Sequence, residues 1–90
     1  AKSNQYLENA NAYRFAAGAA QQLGKNADCI ANYEKYLELS PNAKDAGGVK
    51  FTIAALYQQA GDKVKAKEYY QAVSTDPQYG AAAQEQLKTL

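Results

Sequence analysis

The chain has 90 residues, ten basic and nine acidic side chains, a net charge of +1, 47% hydrophobic residues, one cysteine and no histidine. A balance this even gives no electrostatic case for nucleic acid or an anionic membrane. No apolar run approaches the ~18 residues of a spanning helix, and without histidine the commonest general base and zinc ligand is missing. The hydrophobic share is too high for disorder, and much of it is alanine and tyrosine, which suits close helix packing. A single cysteine forms no internal disulfide and so does not fix the compartment. The lack of any methionine, including at the first position, reads as a segment of a longer chain.

In chain order, Ser3 is placed to cap a first helix over about 4–22, whose apolar set includes Tyr6, Tyr13, Ala16, Ala17, Ala20 and Leu23 at spacings of three and four. Gly24 ends it. Asn26 or Asp28 then caps a helix over 27–39, with Cys29, Ile30, Tyr33, Tyr36, Leu37 and Leu39 on one stripe. Ser40-Pro41 stops that helix, because a residue before proline is pushed out of the α region. Asn42 or Asp45 caps a third helix over 43–60, weakened in its first turn by Gly47-Gly48 and carrying Val49, Ile53, Ala54, Leu56 and Tyr57 inward. After Gly61, Asp62 caps a fourth helix over 63–74, with Val64, Ala66, Tyr69 or Tyr70, and Val73 as its stripe. Thr75-Asp76-Pro77 stops it, and a last helix over 79–89 shows Ala83, Leu87 and Leu90 at i, i+4 and i+7. No segment alternates as a strand does. Short loops between five helices imply antiparallel neighbours in a single domain over residues 1–90.

Two of these stretches are copies. Gly24 and Gly61 stand 37 residues apart, and Pro41 and Pro77 stand 36 apart. A period in this range is the signature of stacked repeats. Aligned on the glycines, Cys29 matches Ala66, Tyr33 matches Tyr70, Ala20 matches Tyr57, and Ala17 and Ala16 match Ala54 and Ile53. This pattern resembles the tetratricopeptide repeat (TPR), in which small residues let paired helices approach and aromatics fill the adjoining space. The resemblance covers about residues 10–78. It implies an all-α fold, an α-solenoid of antiparallel helix pairs with two repeats and a C-terminal capping helix. The period exceeds the family's usual ~34 residues. Tyr36 stands where the family is usually small and Ala20 where it is usually aromatic, which suggests a volume swap between them. The 48 residues from Ser40 to Leu87, with Lys65-Ala66-Lys67 and Tyr70-Gln71, also resemble repeats of bacterial cell-envelope proteins such as the periplasmic coordinator of the Tol-Pal system and outer-membrane assembly lipoproteins. That likeness implies a periplasmic or outer-membrane-associated location, and otherwise a cytoplasmic one.

No nucleophile–base pair is visible. Cys29 has no histidine to activate it and reads as a packed core thiol. Glu34 and Glu38 share a helical face with Lys35 beside them, an ordinary solvated surface. Lys63, Lys65 and Lys67 read the same way, although Lys63 and Lys67 share a face. Gly47-Gly48 lacks the spacing and the Lys-Ser/Thr of a phosphate loop. Asp45 and Asp62 read as caps, not metal ligands. No enzyme, cofactor or metal is expected.

The remaining surface is the first helix of each pair, which the repeat resemblance places on a concave, partner-binding face. The residues it exposes are Asn11, Arg14, Phe15, Gly18, Gln21 and Gln22 in the first copy, and Gly48, Phe51, Thr52, Ala55, Gln58 and Gln59 in the second. Exposed Phe15 and Phe51, flanked by glutamines and one arginine, suit a peptide or partner domain. The alternative is that both phenylalanines pack against neighbouring repeats or each other, in a self-associating piece of a larger envelope scaffold. The family's carboxylate clamp for chaperone C-termini is not expected, since Gly18 and Thr52 stand where it needs asparagines. The sequence thus points to a non-catalytic module for a protein or peptide partner, with no nucleic acid and no membrane insertion in this segment.

Overall fold

A computed structural model describes residues 2–90, with side chains from Ala10 onward. Among the described residues there are five α-helices and no strand: α1 Lys2–Gln22, α2 Asn26–Leu39, α3 Ala46–Ala60, α4 Lys63–Ala72 and α5 Gly80–Thr89. The side chains of Ser3 and Tyr6 lie outside the described set. The chain divides into two compact units, one ending at Ala46 and one running from Gly47 to Leu90.

The 37-residue period is a backbone repeat. Gly24 closes α1 at φ 76° and Gly61 closes α3 at φ 88°, a left-handed conformation that glycine adopts without a Cβ penalty. After α1, Lys25 N–H donates to Ala20 C=O at 2.8 Å and Gly24 N–H to Gln21 C=O at 3.1 Å. After α3, Asp62 N–H donates to Tyr57 C=O at 2.9 Å and Gly61 N–H to Gln58 C=O at 3.1 Å. Both are Schellman closures, satisfying the last carbonyls of the helix and turning the chain directly into the next one.

That tight turn corrects the expected start of α2. Lys25 is the N-cap, with no side-chain hydrogen bond, so neither Asn26 nor Asp28 caps the helix. Asp28 instead lies in the first turn, where its charge favours the helix dipole. The cap expected of Asp62 does form: its Oδ1 accepts from Lys65 N–H at 3.1 Å. The third helix starts at Ala46, not near 43, because residues 40–45 are spent in turns joined by Ala43 N–H to Ser40 C=O and Ala46 N–H to Ala43 C=O. Asp45 turns its carboxylate back towards α1 and α2, as described below.

In the first unit, Ala17 and Cys29 are fully buried, with Ala10, Ala20, Ile30 and Tyr36 close behind. Tyr36 lies beside Ala10 and Asn11, while Tyr33 lies near Arg14 and Gly18. The pair α1–α2 is therefore antiparallel. Tyr36 then meets α1 ten residues, or about 15 Å, before Ala20, so the suggested volume swap between them is not realised. In the second unit, Ala54, Ala66, Tyr70, Val73 and Ala83 form one core, with Phe51, Tyr57, Tyr69, Leu87 and Leu90 packed on it. Ala66 and Cys29 fill the same register and each has no exposure. Three members of the expected stripes point outward: Ala16, Leu23 at 72% exposed and Val64 at 69%. Leu23 belongs to the turn after α1, and Val64 lies on the outer side of the α4 first turn, two residues before buried Ala66.

The start of α3 explains Gly47-Gly48. A Cβ on Gly47 would collide with the Asp76 carboxylate, and one on Gly48 would lie 2.9 Å from the Tyr79 hydroxyl oxygen. Asp76 is itself held in place, its Oδ1 accepting from Gln78 N–H at 2.8 Å and Tyr79 N–H at 3.0 Å at the entry to α5. The two glycines are there for close packing within the second unit.

Candidate functional site

The outward side of α1 is unusual for a surface helix. From Ala10 to Gln22 its only charged residue is Arg14. Phe15 is 77% exposed, the most exposed of the chain's large hydrophobic side chains among the described residues. Arg14, Phe15, Gly18, Ala19 and Gln22 of α1, with Tyr33 of α2, line a shallow depression. Its floor is open at Gly18, where an added Cβ would meet nothing within 4 Å. A second depression is lined by Ala10 and Asn11 of α1, Tyr36 of α2 and the Ser40–Ala43 turn.

Beside Phe15 lies a polar triad. Arg14 Nε pairs with Asp45 Oδ2 at 2.9 Å, and Tyr36 Oη donates to Asp45 Oδ1 at 2.6 Å. Both carboxylate oxygens are thereby engaged. The Tyr36 hydroxyl is pushed above its ordinary range by burial first, then by its hydrogen bond to Asp45 and by that carboxylate's charge, with Arg14 acting the other way. Tyr33 is also raised, chiefly by burial, with smaller contributions from Cys29 and Asp45 opposed by Arg14. Burial raises the Cys29 thiol too, so its nucleophilic thiolate is disfavoured, in keeping with a packing role.

The second unit treats the corresponding residues differently. Phe51 packs edge-on to Tyr70, with ring centres 5.4 Å apart at 74°, and tilted against Tyr79 at 5.5 Å. Tyr70 Oη donates to Gln58 Oε1 at 2.8 Å, and Thr52 Oγ1 donates to Gly48 C=O at 2.9 Å. Tyr57 and Tyr69 stack at 5.9 Å.

Of the residues expected on the binding face, Asn11, Arg14, Phe15, Gln21, Gln22 and Gln59 are exposed. Phe51, Thr52 and Gln58 are only partly exposed and make the internal contacts just described. Phe51 packs on two tyrosines of its own unit, Tyr70 and Tyr79. The sequence alone does not place Asp45 or Tyr33 beside the exposed phenylalanine. The Arg14–Asp45 pair spans most of a repeat, so no local motif announces it. Tyr79 was missed in the same way. Among the described residues, no group of three or more acidic or cysteine side chains is arranged to hold a metal ion. No described helix is long and apolar enough to cross a membrane.

No family model matches the chain, and no solved structure matches it. The sequence is similar to photosystem I assembly protein Ycf3 of Rippkaea orientalis, with 31% identity over 81 residues, covering 89% of this chain and 47% of that protein. It is also similar to the proteins of that name from Prochlorococcus marinus and a Synechococcus species, each 40% identical over 53 residues, covering 59% of this chain and 31% of theirs. The chain spans about half or less of the length of these relatives. They overturn the envelope reading. The relatives found are named for photosystem assembly, not for the Tol-Pal system or outer-membrane assembly, so the expected periplasmic or outer-membrane location is withdrawn. The Lys-Ala-Lys and Tyr-Gln letters that suggested it are what any helix pair with this packing favours: lysines on a solvated face around a small buried residue, then a buried tyrosine.

Proposed function

We propose that this chain is a non-catalytic protein-interaction module of the tetratricopeptide type, which holds a peptide or partner domain on the outward face of α1 and serves in assembling a multi-protein complex. The observation that carries the proposal is Phe15, 77% exposed on a helix face with a single charge. A large solvent-exposed ring beside a half-exposed arginine has the make-up of an interface hot spot. The resemblance of the repeat pattern to the tetratricopeptide family supports it, as does the likeness to proteins named for photosystem I assembly. Asn11, Arg14, Gln21 and Gln22 belong to the proposed face. Phe51, Thr52, Gln58 and Gln59 are proposed as the second unit's own contribution, with Phe51 and Gln58 acting from positions that internal contacts already fix.

The test is partner capture by the wild-type chain and by Phe15→Ala, with helicity and oligomeric state measured on both. The expected result is a folded, monomeric Phe15→Ala chain that no longer captures what the wild type does. A Phe15→Ala chain that loses only a self-assembled state, with no partner captured by either protein, supports self-association and contradicts the proposal.

A further inference from the structure

Resting on the reading of α1 as a partner-binding face, we propose that the depression around Gly18 takes a peptide segment in which a side-chain carboxylate stands next to an apolar residue. The carboxylate pairs with Arg14 and the apolar residue covers Phe15. Charge complementarity selects this occupant. The stretch from Ala10 to Gln22 carries one cation, Arg14, and no anion of its own, and the part of that guanidinium left exposed beside Asp45 matches an apolar segment with a single negative charge and not a basic one. The structure also displays what Arg14 takes. Asp45 sits on its Nε edge at 2.9 Å, while 56% of the arginine side chain stays exposed. Guanidinium donors are arranged as a planar fork suited to carboxylates, so the exposed edge can take one from outside. The space is present as well. Gly18 lies one turn beyond Arg14 and Phe15, and nothing comes within 4 Å of a Cβ placed there.

Asp45 is then an internal competitor for the same guanidinium. Its Oδ1 is occupied by the Tyr36 hydroxyl and its Oδ2 by Arg14. Asp45→Asn keeps an oxygen acceptor for Tyr36 and removes the charge that holds Arg14. The inference therefore carries an unusual sign: removing this native ion pair should strengthen ligand binding.

The experiment follows backbone amide NMR shifts of the whole chain titrated with an acetylated, amidated peptide containing Leu-Asp-Phe-Leu, and with its Leu-Asn-Phe-Leu twin. Blocked termini leave the aspartate as the only carboxylate. The expected result is saturable shifts confined to residues 14–22 and 33, with the aspartate peptide bound about tenfold more tightly than its twin, the size of one charge-assisted contact. Arg14→Gln should abolish that preference and Asp45→Asn should enlarge it. Equal binding of both peptides at residues 14–22 overturns the carboxylate inference and leaves the α1 face standing. Absence of shifts there with either peptide overturns the inference and counts against the face itself. Shifts that follow protein concentration without peptide identify a second copy as the occupant and overturn the inference.

Discussion

The two units solve one packing problem with different chemistry. In each, a residue at the same register of the first helix, Arg14 or Phe51, meets the residue that immediately precedes the next helix, Asp45 or Tyr79. The first unit makes this contact with an ion pair and the second with two rings. The neighbouring tyrosines follow suit. Tyr70 is 1% exposed, hydrogen-bonded to Gln58 and edge-on to Phe51, whereas Tyr33 at the same register stays partly exposed. An ion pair at a half-exposed site contributes little to stability, while a buried aromatic cluster contributes several kcal/mol. The second unit has therefore turned its aromatic surface into core, and the first has left its phenylalanine outside. That asymmetry is why the first unit is the better candidate for binding.

The comparison is broken most forcefully at the paired tyrosines. Tyr70→Ala should lose about 3–5 kcal/mol in urea denaturation, the usual cost of emptying a fully buried aromatic site. Tyr33→Ala should lose about 1–2 kcal/mol, since less of its ring leaves water. Equal losses would show that the two registers are not different in kind. Next comes Gly47→Ala, expected to lose about 1–3 kcal/mol because the Asp76 carboxylate occupies the place of the new methyl group. A thermal melt no lower than wild type would contradict that close approach.

Alkaline titration sharpens the comparison through charge. Cys29, Tyr33 and Tyr36 of the first unit and Tyr70 of the second all hold their protons more tightly when folded, chiefly through burial. Their contribution is fully present below the unfolded values of 9.0 for the thiol and 10.0 for the phenols, and is lost as pH rises through the higher folded values. Melting temperature should therefore fall from about pH 9 upward, with helices α1 and α2 losing hydrogen-exchange protection first. Tyr36→Phe should shallow the decline. A profile flat to well above the ordinary phenol range, or one in which the second unit opens first, contradicts it. The smallest effect is Arg14→Gln, which should change stability by less than about 1 kcal/mol, as half-exposed ion pairs do. A larger loss would mean that the triad holds the unit together.

Much of the fold was legible because it is written in local signals. Gly24 and Gly61 announce their turns through the left-handed conformation, Asp62 announces its cap, and Cys29 and Ala66 lie on periodic stripes that do turn inward. The misplacements share a cause: a residue's partner lay far along the chain. Asp45 reads as a local cap in the sequence, and its bonds to Tyr36 and Arg14 appear only in the fold. Gly47-Gly48 reads as a weak first helical turn until Asp76 and Tyr79 appear against it. Leu23 and Val64 fit a spacing, yet spacing does not tell which turn of a helix its neighbour covers. For the site, the sequence named Phe15 and Arg14 but treated Phe51 as their equal. Only the packed rings of Tyr70 and Tyr79 separate the two phenylalanines.

The most direct measurement is made with Gly18→Leu, which fills the depression beside Arg14 and Phe15 from a position where the backbone leaves open space. Leucine favours helix over glycine by roughly 0.5–1 kcal/mol, so the variant should melt at or above the wild-type temperature. Its partner capture should be lost while its stability is kept, a combination that general damage to the fold cannot produce. A Gly18→Leu chain that is equally stable and captures its partner as the wild type does would contradict the assignment of the binding face to α1.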